Sequence, residues 1–321
     1  MHRPPRPEDR ELDLIVVGEI NPDIIVSDPD PVPRFGQQEQ LVDAITMTIG
    51  SSSAIAACGA ARLGLRVAMV GVVGDDPFGR FMLEAMAARG IDTTWCRIDP
   101  EMPTGATVIL ARPGDRAIFT ALGTIDAVSA ADVPEELIAR ARHLHVGSYF
   151  LQPHLARDVP ELFRQAHDAG LTTSLDPNDD PSKAWNSGLD EALTETDLFL
   201  PNGAELAAIG GRDDPAEAAA AVAHRVQPTP VIAVKLGSSG ALAVAEELVE
   251  RTAAYGIEPV DAIGAGDSFD AGFISGWLDG ASIADCLRMA AVCGALSTRA
   301  TGGTAAQATR EELDAALARW Q

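Results

Sequence analysis

The chain has 321 residues, with 47 acidic side chains against 24 Lys and Arg and a formal net charge of −23. A field of that sign opposes binding to nucleic acid or to an anionic membrane, and its simplest role is a well-solvated surface. The 46% hydrophobic content is ordinary for a globular protein, and the length allows one large α/β domain or two small ones around a sizeable core.

Residues 1–10 are rich in Pro and charge and contain no apolar centre, which predicts a disordered tail and not a secretory signal. Strand-like apolar runs then alternate with amphipathic helical ones. Leu12–Val17 reads as a strand ending at Gly18, Ala54–Leu63 as a helix of small residues, Val67–Val73 as a strand and Phe78–Ala88 as a helix. After residue 125 the strands are Leu144–Gly147, Thr172–Leu175, Leu198–Leu200 and Val231–Val234. The helices there are Leu155–Asp168, Pro215–Val226 and three more near 267–279, 282–299 and 310–320. Alternation of this kind predicts an α/β fold: a mostly parallel central sheet with helices on both faces, whose strand ends line one ligand-binding edge. Two segments break the pattern. Asp23–Met47 is punctuated by Pro, and Thr104–Ala121 reads as two strands about Arg112-Pro113-Gly114-Asp115. Neither has a helix to cover it. A small β lid formed by about 23–47 and 104–121 is therefore expected on a single domain spanning 11–321.

Cys58, Cys96, Cys286 and Cys293 lack metal-ligand spacing and read as buried free thiols. No apolar run reaches the length of a membrane span. A cytoplasmic, reduced protein is the expectation.

The densest chemistry lies in Val260-Asp261-Ala262-Ile263-Gly264-Ala265-Gly266-Asp267-Ser268-Phe269, a small-residue turn flanked by carboxylates and running into a helical pattern. A Gly264-Ala265-Gly266 turn lets backbone N–H groups converge at a helix N-terminus, a ready anion site. Asp267 beside it is either a simple helix cap or the base of a phosphoryl-transfer enzyme. Gly264, Gly266 and Asp261 in the same few residues favour the base. Asn202 and Glu205 lie three apart after a strand. They suit either a helix-capping box or oxygen groups around the water shell of Mg²⁺. Asp23, after a strand end and an Asn-Pro turn, is either an ordinary turn residue or a carboxylate gripping adjacent sugar hydroxyls, with Asn21 in support. The P-loop, dinucleotide-binding and G-x-S-x-G signatures are all missing from the sequence.

Asp261–Asp267 resembles the C-terminal signature of the PfkB, or ribokinase-like, carbohydrate kinases. Val16–Asp23, Gly71–Gly79, Asp176-Pro177-Asn178, Pro201–Glu205 and Lys235–Gly240 agree with that family in its order. The resemblance implies an ATP- and Mg²⁺-dependent kinase acting on a sugar or sugar-like alcohol, with Asp267 as base and Gly264, Ala265 and Gly266 as the phosphoryl cradle. It places acceptor contacts at Asn21, Asp23, Gly50 and Ser51, and nucleotide contacts at Asn202, Lys235, Gly237, Gly240 and Cys293. Metal organisation falls to Asn202, Glu205 and Asp261. It further implies a lid-mediated homodimer and, in parts of the family, K⁺ at the same turn. The chain departs from the family where a Gly-Gly-Asn contact set is replaced by Gly50, Ser51 and Ile55. It departs again where Asp179 and Asp180 stand in place of an expected Arg. Those departures, with acidic Asp23, Asp176, Asp179, Asp180 and Asp267 along one edge, predict a neutral acceptor; Arg34, Arg112 and Arg116 in the lid are the available counter-charges. A nucleoside kinase on the same fold and a sugar-binding regulator without turnover are the alternatives.

Overall fold

The computed structural model describes residues 10–112, 115–226, 228–246 and 248–320. The tail expected over residues 1–10 lies outside these except for Arg10, whose guanidinium donates to the carbonyls of Ala141 and Ala169 and fastens it to the core. The strands are β1 (Leu14–Val17), β2 (Pro22–Ser27), β3 (Ala44–Ile49), β4 (Val67–Val70), β5 (Val72–Gly74), β6 (Arg97–Asp99), β7 (Ala106–Arg112), β8 (Asp115–Ala121), β9 (His143–Val146), β10 (Thr172–Leu175), β11 (Leu198–Phe199), β12 (Val231–Lys235), β13 (Ala241–Ala245) and β14 (Leu248–Thr252). The helices are α1 (Ser52–Arg62), α2 (Pro77–Ala87), α3 (Glu135–Ile138), α4 (Pro153–Asp168), α5 (Leu189–Thr194), α6 (Gly203–Gly210), α7 (Pro215–Arg225), α8 (Ala265–Leu278), α9 (Ile283–Ser297) and α10 (Arg310–Arg319).

The central sheet has 8 strands in the order β14-β13-β12-β11-β10-β9-β1-β4. Neighbours from β4 to β12 run parallel, and β13 and β14 turn back antiparallel at one edge. Side chains alternate across a strand, so Leu14 and Val16 enter one apolar cluster while Ile15 and Val17 enter another. The first cluster lies against α1, α2, α8 and α9 through Ile55, Met82, Phe273 and Leu287; the second lies against α4 to α7 through Leu162, Leu193, Leu206 and Val222. Burial on both faces leaves β1 and β4 as unbroken apolar runs, the pattern that makes them legible. β9 and β10 differ: His143, His145, Thr172 and Ser174 are buried polar residues that bond one another at 2.7–2.8 Å.

The single strand expected over Val67–Val73 is two. The break falls at Gly71, after which β5 leaves the central sheet to pair with β6; a Cβ at Gly71 would stand 2.5 Å from the Gly18 carbonyl oxygen, so the close approach there requires glycine. The second sheet has the order β3-β2-β7-β8 and occupies the segments expected of a lid. The Pro113-Gly114 turn within it lies outside the described residues. Ile25 and Ile109 on this sheet pack against Ile263, which belongs to the turn before α8. The lid and the anion turn are thus joined by a small apolar contact. Among the described residues, no helix is long and apolar enough to cross a membrane.

Candidate active site

The C-terminal ends of β1, β10, β11 and β12 bring Glu19, Asp176, Asn202 and Lys235 to one edge, where α8 begins. Gly264 caps α8 at φ 72°. A Cβ on it would lie 2.5 Å from the Gly303 Cα and 3.0 Å from Ile55, so the position demands glycine for conformation and for close approach. Asp261 fixes the other side of the turn. Its Oδ1 accepts from the Ile263 N–H at 2.9 Å and its Oδ2 from the Gly302 N–H at 2.9 Å. The first-turn N–H groups of a 14-residue helix therefore open onto the site with the positive end of its dipole.

Asp267 stands in that first turn, half-buried. Burial pushes its carboxyl up to about 8. The charges of Asp176 and Glu19 act in the same direction, while Lys235 and a hydrogen bond to Ser52 oppose them. Lys235 Nζ bonds Asp176 Oδ2 at 2.5 Å and Asp270 Oδ2 at 2.9 Å, all well buried. Carboxylate oxygens of Asp176, Asp267 and Asp270 lie within 4.8 Å of one another.

The expected acceptor residues gather at the junction of β1, β2 and α1. Asp23 is buried, and its Oδ1 occupies the space beside Gly50, 2.2 Å from where a Cβ would stand. Burial raises its carboxyl to about 7, with Arg116 opposing and Glu19 and Asp261 adding to the rise. Asn21 donates to Thr107 Oγ1 of the lid at 3.3 Å. Ser51 departs from the expectation of a sugar contact. Its hydroxyl donates to the Glu19 carbonyl at 2.5 Å and accepts from the Ala54 N–H at 3.0 Å, so it caps α1. Ile55 packs under the turn against Gly264 and Gly303 instead of facing an acceptor.

Beside the residues expected to contact nucleotide, a cavity of about 290 Å³ is lined by Lys235, Gly237, Gly240, Tyr255, Gly266 and Gly294, among others. Cys293 is a correction: its Sγ turns into the seam between α8 and α9, 3.0 Å from where a Gly272 Cβ would sit, and its neighbours Gly294 and Ala295 line the cavity instead. Asn202 and Glu205 form a closed capping box, with Asn202 Oδ1 accepting from the Glu205 N–H at 2.9 Å and Glu205 Oε2 from the Asn202 N–H at 2.8 Å. Burial raises Glu205 to about 7. Two acids expected to charge the site edge are spent locally. Asp179 pairs with exposed Lys183 at 2.6 Å, and Asp180 accepts from the Ser182 and Trp185 N–H groups.

The pfkB family carbohydrate kinase model matches residues 11–310. The chain belongs to the pfkB family of carbohydrate kinases. It is 34% identical to a fructokinase of Klebsiella pneumoniae over 287 residues, covering 84% of this chain and 91% of that one. It is 30% identical to a 2-dehydro-3-deoxygluconokinase of Bacillus subtilis, covering 85% and 87%. A fructokinase of Vibrio cholerae solved with fructose, ADP and a potassium ion superposes with a TM-score of 0.79 at 25% identity, covering 96% and 99%. This carbohydrate kinase thus phosphorylates a sugar at the expense of ATP.

Sequence reasoning missed three residues that the structure brings close to the candidate site. Asp270 lies three residues past Asp267 on the same face of α8, a spacing that was available to be read. Its partnership with Asp176 depends on strand order and leaves no local signal. Glu19 is buried and held by Ser53 Oγ at 2.6 Å, Ser148 Oγ at 2.7 Å and Gln152 Nε2 at 3.2 Å, an assembly of three chain segments. Ser52, at the start of α1, carries the link from Gly50 to Asp267.

Proposed function

We propose that this kinase transfers the γ-phosphoryl group of ATP to a hydroxyl of a neutral sugar or sugar-like polyol, with Asp267 as the general base. The observation that carries this is the continuity of three pieces: Gly50 abuts Asp23, Ser52 meets Asp267, and Asp267 sits on the anion-binding turn. An acceptor hydroxyl placed between Asp23 and Asp267 gives its proton to Asp267 as its oxygen attacks the γ-phosphorus, and ADP leaves. The backbone N–H groups of Ala265, Gly266 and Asp267 meet the charge of the transferring group. Mg²⁺ would neutralise the nucleotide phosphates. Asn202 and Glu205 have spent oxygens on their capping box, so they fit a hydrated ion touched through its waters and not directly. Asp261 fits a different role from the metal contact expected of it, because both its oxygens hold the turn. A K⁺ at this turn would therefore rest mainly on carbonyl oxygens. The lid offers exposed Ile45, Ile118 and Phe119 as a dimer surface, which sedimentation at graded concentration tests: a monomer at every concentration removes it.

A sugar acid is the second reading. Arg116 is the lid cation whose charge reaches Asp23, whereas Arg112 is paired with Asp115 at 2.6 Å. Coupled ADP release against neutral sugars, nucleosides, sugar acids and sugar phosphates separates the readings. A neutral sugar is expected to give the highest kcat/KM. A sugar phosphate at least tenfold above every neutral sugar would overturn the assignment.

A further inference from the structure

Two buried carboxylates, the half-buried Asp267 and one ammonium meet beside the anion turn. Asp176 follows β10, Lys235 ends β12, and Asp270 lies one helical turn beyond Asp267 in α8. Lys235 is bound on two sides, by Asp176 at 2.5 Å and Asp270 at 2.9 Å. Its Nζ also lies 3.8 Å from where a Cβ on Gly266 would stand, so the ammonium rests against the turn itself. The second oxygen of Asp270 is buried with no hydrogen-bond partner. A buried carboxyl with one oxygen left bare is unfavourable as an anion. Two carboxylates this close cannot both remain ionised cheaply, and one ammonium compensates only one of them. Lys235 therefore holds Asp176 charged, and Asp270 is driven up by burial and by Asp176.

We propose that Asp176 and Asp270 are positioning residues acting through Lys235, pinning its ammonium between the base Asp267 and the path of the phosphoryl group. This deepens the reading of Asp267 as base and rests on it. The arrangement gives one cation two tasks. It restrains the proton affinity that Asp176 and burial impose on Asp267, and it presents a fixed positive charge at Gly266 where nucleotide phosphate arrives. The groups facing Asp267 are Asp176 after β10, Lys235 of β12, Glu19 after β1, Ser52 of α1 and Asp270 on its own helix; Glu205 of α6 faces Lys235.

The test is the acid limb of kcat/KM against pH, measured with the preferred sugar from the acceptor panel, for wild type, Asp176→Asn, Asp270→Asn, Lys235→Met and Lys235→Arg. Removing the Asp176 charge is expected to move the limb to lower pH by about one unit or more, and removing the Lys235 charge to move it up by a similar amount. Lys235→Arg keeps the limb near its wild-type place. Asp270→Asn is isosteric with the protonated acid and is expected to leave the limb within about half a unit. A merely structural cluster would lower kcat in each variant and leave the limb where it is. That result, or a limb that moves as far with Asp270→Asn as with Asp176→Asn, overturns the proposal. Should Lys235→Met fail to fold, the two asparagine variants decide alone. In a parallel arm, ¹³C NMR titration of the Asp267 carboxyl reads the same displacements without turnover. Asp267→Asn separates the underlying assignment: loss of the limb in that variant supports the base, whichever way the cluster variants fall.

Discussion

At the scale of single residues, the unusual feature is how many carboxyl groups the fold raises in proton affinity. Asp23 and Glu205 are raised to about 7 and Asp267 to about 8, each chiefly by burial. In the unfolded chain the same groups ionise near their ordinary values of 3.8 and 4.5. The folded state therefore binds more protons from about pH 4 up to each folded value, and stability falls as pH rises through that window. Each group contributes at most about 1.4 kcal/mol per pH unit, and Asp267 less, because its outer edge is open to solvent. His167, raised by its bond to Asp197, has the same sign: its stabilisation is present below the unfolded value of 6.5 and is lost as pH rises through the higher folded one. His143 and His145 are lowered by burial and act oppositely, but only below that same 6.5. From pH 6.5 to 8 the losses have one sign, Asp23 and Glu205 contributing up to about 7 and Asp267 up to about 8. The thermal midpoint of the free enzyme is expected to drop by several degrees across that range, read by calorimetry; a flat or rising midpoint would show that these acids are not buried as described.

At the scale of elements, the lid and the turn before α8 are coupled. Ile263 packs on Ile25 and Ile109, and Asn21 ties β1's exit to Thr107 of β7. β8 is exposed along its whole length and the first four residues of β3 are exposed, so the lid's backbone bonds have little cover. Lid amides in β2, β3, β7 and β8 are expected to exchange faster than those of β1, β9 and β10 in the free enzyme, and to slow when sugar and nucleotide are both bound. Equal protection of lid and core in both states would contradict a closing lid. β1, β4 and β12 of the central sheet were legible because burial on both faces produces continuous apolar runs, and the lid segments because they lack helical periodicity; β14 was not foreseen. One-turn helices such as α3 and α5 were not, since four or six residues cannot display a period. The need for glycine at 71 was invisible because the Gly18 carbonyl it approaches follows the neighbouring strand β1.

At the scale of the whole molecule, the site concentrates the acidity of the chain. Glu19 and Asp176 follow strands of the central sheet, Asp23 lies in β2 of the lid, Glu205 in α6, and Asp267 and Asp270 in α8, and the substrate ATP is itself an anion. The positive terms there are the α8 N-terminus and Lys235, one of the chain's two lysines, with Arg116 reaching Asp23 from the lid. The Asp261–Asp267 motif announced the helix start, and suggested the proposed base, from seven consecutive residues. It could not announce the cluster around Lys235, whose members are joined only by the order β10-β11-β12 and the placement of α8. The assignment of the base is tested most directly by comparing wild type with Asp267→Asn in coupled ADP release, alongside ATP affinity by calorimetry. The variant is expected to bind ATP as wild type does and to lose about 10²–10⁴ in kcat, the usual worth of a positioned base. Near-normal turnover in Asp267→Asn with the same sugar would contradict it.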